Sequence, residues 1–122
     1  MLSILLALAL SSSLDSNDDP SAFQAAQCSA LYSISKSGAR NDKERINYSR
    51  KHELMIDLVM HYGMPVTRYS EVVDAYVAQF KEAIQKLDKP SVQYLREESH
   101  RCNLFFDQQH EVLLSIARSK DG

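Results

Sequence analysis

The stretch Ser70-Glu-Val-Val-Asp-Ala-Tyr-Val-Ala-Gln-Phe-Lys-Glu-Ala-Ile-Gln-Lys-Leu87 decides the fold. Val73, Tyr76, Phe80, Ala83, Ile84 and Leu87 recur every three or four residues, which places them on one face of an α-helix. A half-buried strand would alternate instead. Ser70 is read as the N-cap of this helix. An apolar helix face has to be covered, because short isolated helices are marginal in water. The rest of the chain is therefore read for partner faces.

Upstream, the pattern predicts a helix from Asp42 to Tyr62, with Tyr48, Met55, Leu58, Val59 and Tyr62 on its stripe. Asn41 followed by Glu44 resembles a capping box. His61 in the last turn suits the negative end of the helix dipole. Gly63 and Pro65 then stop the helix. Before it, Asp19 as N-cap and Pro20 at the first helical position start a helix that runs to Ser37. Its stripe is Phe23, Ala26, Ala30, Leu31 and Ile34, and Gly38 ends it. Downstream, a fourth segment runs from about Pro90 to Arg118, with Leu95, Cys102, Phe105, Phe106, Val112, Leu113 and Ile116 facing inward.

Only three Gly and three Pro occur in 122 residues. Such scarcity favours long helices over the many turns of an all-β fold. Four amphipathic helices with short links predict an all-α fold, an antiparallel up-down-up-down four-helix bundle. The first and last helices of such a bundle touch, so a Cys28–Cys102 disulfide joining them is expected. Two separate buried thiols are the other reading of the same pair.

Residues 1–19 read as a signal peptide and acidic leader, and 20–122 as a single helical domain. Leu2 to Leu10 is an apolar run too short to span a bilayer. It resembles the core of a secretory signal, followed by Ser11-Ser12-Ser13 and an acidic stretch from Asp15 to Asp19. No Lys or Arg precedes the run, a departure from the usual signal. Export to the periplasm or the extracellular space would let a disulfide persist. Gln27 beside Cys28, deep in a helical pattern, argues against lipid attachment there.

No catalytic signature is present. Glu97-x-x-His100 matches half of a carboxylate-bridged di-metal motif, and Asp107-x-x-His110 echoes it on the same segment. The second helix offers Glu53, Asp57 and His61 without that spacing, and these residues lie off the apolar stripes. A solvated face explains them better than a metal site. Haem-attachment, redox Cys-x-x-Cys, nucleophile-elbow and phosphate-loop motifs are absent. No catalytic residue, metal or cofactor is therefore expected.

Surface chemistry is the remaining signal. Lys36, Arg40, Lys43, Arg45, Arg50 and Lys51 stand against only Asp42 and Glu44 between residues 36 and 52, although the chain's net charge is −2. This stretch reads as a basic patch for an acidic partner, with a plain solvated face as the simpler alternative. Tyr62, Met64 and Tyr69 cluster at the connection between the second and third helices. They form either a contact surface or the end of the core. Together these features predict a non-enzymatic binding module of the bacterial cell envelope, of the immunity, inhibitor or chaperone type. Its partner would be another protein, with a homodimer also compatible. Nothing resembles a nucleic-acid reader or a membrane span. A ligand or metal carrier with a site between the helices is the second reading, and an enzyme the third.

Overall fold

The structure is a computed structural model, and it describes residues 13–121. The apolar run Leu2–Leu10, with the signal-peptide reading that rests on it, lies outside the described residues. Among the described residues there are five helices and no strand: α1 (Pro20–Ser37), α2 (Asp42–His61), α3 (Val66–Lys86), α4 (Lys89–Gln108) and α5 (His110–Asp121). No helix among them is long and apolar enough to cross a membrane.

Local chemistry sets most of these boundaries. Asp19 caps α1 by accepting from the backbone N–H of Ser21 and Ala22, and Asn41 caps α2 by accepting from Glu44 N–H. Asp88 does the same for α4 through Ser91 N–H. The start of α3 differs from expectation. It begins at Val66, with Pro65 at the N-cap in an extended conformation and no side-chain cap. Proline's fixed φ suits entry to a helix as well as exit from one, and Ser70 lies inside the helix.

The fourth segment also differs, because it is two helices. Gln109, at φ −90° and ψ 8°, ends α4. Its side-chain oxygen accepts a 2.6 Å hydrogen bond from the Tyr62 hydroxyl. Beyond it α5 packs against α2, where Lys120 Nζ donates to Asp57 Oδ2 at 2.9 Å. Val112, Leu113 and Ile116 pack half-buried against the core. The fold therefore has five helices where four were expected.

Helix α1 is not one stripe among equals. Ala22, Ala25, Ala26, Cys28, Ser29 and Ala30 are all fully buried, and Gln27, Leu31 and Tyr32 nearly so. A helix buried around its circumference is a core helix, and small side chains let its neighbours approach closely. It packs against α2, α3 and α4. The expected stripe was thus only part of a buried surface that wraps the helix. Burial on all sides also explains why Cys28, away from the centre of that stripe, is inaccessible.

The disulfide forms between Cys28 and Cys102 with a Cα–Cα distance of 5.4 Å. It joins α1 to α4, the fourth of the five described helices, and not to the last. An aromatic chain runs from Phe23 through Tyr76 and Phe80 to Tyr94, with centroids 5.9–6.4 Å apart. These rings link α1, α3 and α4. Every buried side-chain nitrogen and oxygen among the described residues has a hydrogen-bond partner. Ser29 Oγ donates to Ala26 O, and Gln27 Oε1 accepts from Arg101. Tyr32, whose phenol burial pushes well above its usual range, donates to Asn103 Oδ1 at 2.9 Å.

The acidic stretch before α1 is exposed except at Asp18, which is tied to α3. Asp18 is buried to 5% side-chain exposure against Arg68 of α3, at 2.8 Å. Arg68 also donates to Ser13 O, pairs with Glu71 and lies over the Phe23 ring. Its hydrogen bonds hold the Asp18 carboxyl below the ordinary range, against the opposing pull of burial.

Candidate binding face

Helix α2 presents one face to α1 and the core and the opposite face to solvent. Met55, Leu58 and Val59 are buried, and Tyr48 and Tyr62 pack against the core, as the periodicity predicts. The outward face carries Lys43, Ile46, Arg50, Glu53, Asp57 and Met60, all exposed except Asp57, which is half-buried beside Lys120 of α5. Their spacing is three, four, three, four and three, so they form one continuous stripe.

The six basic residues read from the sequence differ in their local partners. Arg40 pairs with Glu44 and Arg45 with Asp42, both at 3.2 Å. Lys51 is drawn onto the protein. Its ammonium lies 5.5 Å from the Tyr32 ring centroid and 5.3 Å from that of Phe106, and it donates to Asn103 Oδ1. Its cation–π contacts use the charge locally. Lys36, Lys43 and Arg50 are exposed and make no ion pair among the described residues. Lys36 sits at the end of α1; burial, helped by the Lys36 charge, lowers the pKa of His52.

Lys43 and Arg50 frame a surface groove of about 370 Å³ with Glu44, Ile46 and Asn47. Ile46 is 60% exposed. Residues 43, 46, 47 and 50 stand at i, i+3, i+4 and i+7, the four-residue frame that receives a side chain from a facing helix. Reading the charges alone missed Ile46. The available signal was an isoleucine off the inward stripe, set between two cations. Met60, 72% exposed at the other end of α2, was missed for the same reason.

The second group of candidates turns inward. Tyr62, Met64 and Tyr69 are half-buried and pack against the core. Tyr62 donates to Gln109, and the Tyr69 hydroxyl lies 3.1 Å from Ser29 Oγ. The strongly exposed apolar side chains near that connection are Met60 and Val66.

The acidic and histidine residues weighed as metal ligands are dispersed. Glu97 accepts from Gln93, Asp57 holds Lys120, and His61 stands edge-on to the Tyr62 ring. Among the described residues no three His, Cys, Asp or Glu side chains converge. A cleft of about 290 Å³ opens between Leu31, Ile34, Tyr48, Ile84 and Leu95, with Glu44 at its rim. It is slightly smaller than the usual small-molecule pocket of roughly 300–1,000 Å³. No protein-family model matches this chain, and no curated protein or solved structure is significantly similar to it.

Proposed function

We propose that this protein is an exported, non-enzymatic binding module of the bacterial cell envelope, of the immunity, inhibitor or chaperone type. Its contact face is the outward stripe of α2, and its partner is a protein with an acidic surface. One observation carries this reading: exposed Ile46 stands between Lys43 and Arg50, two cations that no carboxylate among the described residues neutralises. An apolar anchor flanked by unspent charge is what protein contacts use, with the anchor supplying affinity and the charges steering. The Cys28–Cys102 bridge suits an oxidising compartment. Short connections between α1, α2, α3 and α4 favour an antiparallel bundle with α5 appended to it.

Affinity capture from an envelope fraction tests the face, comparing wild type with Lys43→Glu/Arg50→Glu. Both positions are exposed, so the variant keeps its helicity. The proposal expects a specific partner on the wild type whose recovery falls at least about tenfold on the variant, equivalent to about 1.4 kcal/mol. Equal recovery on both proteins refutes the assignment of the face.

A further inference from the structure

The outward stripe of α2 is complementary to itself. From Lys43 to Met60 it reads Lys, Ile, Arg, Glu, Asp, Met. The first half is basic and the second acidic, with an exposed apolar residue in each: Ile46 and Met60. The stripe is about 25 Å long at 1.5 Å per residue. Its three–four spacing is that of a coiled-coil seam.

We infer that the acidic surface fitting this face is the other half of the same stripe on a second copy of the chain, packed antiparallel about a two-fold axis. This deepens the reading of the α2 face as a contact surface and rests on it. A two-fold interface must match itself, so that residue i meets j and j meets i. With the axis passing between residues 51 and 52, Arg50 faces Glu53 of the second copy, and Glu53 faces its Arg50. Lys43 then faces Met60 of the second copy and Ile46 faces its Asp57, one turn from that methionine, and the same contacts repeat at the far end. A parallel arrangement would instead set like charges opposite each other.

The local ion pairs agree with this pairing. Arg50 and Glu53 make none among the described residues, so both are available. Asp57 already holds Lys120, which leaves Arg50 and Glu53 as the central pair. At the Met60 end, a notch of about 280 Å³ lies beside α5, lined by Asp57, Met60, His61, Ile116, Ser119 and Lys120. It leaves space at the edge of the seam for an incoming side chain. Contact through one helix buries little area, so the dimer is weak and concentration-dependent.

Charge reversal provides the test. Light scattering and sedimentation equilibrium are run from micromolar to millimolar protein on wild type, Arg50→Glu, Glu53→Arg and an equimolar mixture of the two variants. Circular dichroism checks that each stays helical. The expected result is a wild type that moves toward dimer mass with concentration and two single variants that remain monomeric. The mixture regains a dimer, because it restores opposite charges across the axis. A wild type that stays monomeric, variants that dimerise as it does, or a mixture that stays monomeric overturns the inference. If self-association fails while Lys43→Glu/Arg50→Glu still loses an envelope partner, the contact face stands and only the self-pairing falls.

Discussion

Replacing Ala25 with leucine tests the burial of α1 from all sides. Ala25 is fully buried, as are Ala22, Ala26 and Ser29 around it on the same helix. Leucine adds three carbons. If a void awaited them, burial would stabilise the protein by about 0.8 kcal/mol per carbon, or about 2.4 kcal/mol in all. If Ala25 faced water, as a helix with a single inward stripe would have it, the change would stay within about 0.5 kcal/mol. In a close-packed interior the extra carbons force neighbouring side chains off their rotamers, which costs about 1–3 kcal/mol. The structure predicts the third outcome. Urea unfolding followed by helical circular dichroism reads it directly. With a slope of about 1.5 kcal/mol per molar urea, a loss of 2 kcal/mol lowers the midpoint by about 1.3 M. A midpoint that stays put or rises would falsify the description of α1 as encased.

Two further predictions concern stability. The bridged cysteines are 74 residues apart, and a loop of that length contributes about 4.5 kcal/mol in the chain-entropy account. Reducing the bridge should lower the urea midpoint by about 3 M at the same slope of about 1.5 kcal/mol per molar; equal midpoints with and without reductant would remove the bridge's structural role. Asp18, whose carboxyl Arg68 holds below its ordinary pKa, favours the folded state fully above the unfolded value of about 3.9. That contribution is lost as pH falls through the lower folded value. Wild type should therefore exceed Asp18→Asn by a constant margin at pH 5–8, and the margin should shrink below about pH 4. A margin unchanged down to pH 2 would show that the pair contributes nothing through its charge.

Helix boundaries were legible where a side chain or a proline marks them. Asp19 with Pro20, and Asn41 with Glu44, announce α1 and α2 because capping is chemistry between residues close in sequence. The break at Gln109 was not legible. Glutamine is a good helix former, and its hydrogen bond comes from Tyr62, 47 residues away. The Asp18–Arg68 pair, 50 residues apart, had no local signal either, so the acidic stretch read as leader. The circumference of α1 was hidden for another reason. Alanine and serine are small enough to be read as either apolar or neutral, so a periodicity drawn from large side chains passed over Ala22, Ala25 and Ser29. On α2 the charges showed in the sequence, but their partners did not. Only the structure separates Arg40 and Arg45, which are paired, from Lys43 and Arg50.

The position of α1 has a consequence for synthesis. The helix that ends up most enclosed leaves the ribosome before the helices that enclose it, and domains mature only once their long-range contacts can form. Until Cys102 has been made, Cys28 has no bridging partner and the walls on the α4 side of α1 do not exist. The nascent chain therefore has no finished interior to lock until α4 has been made.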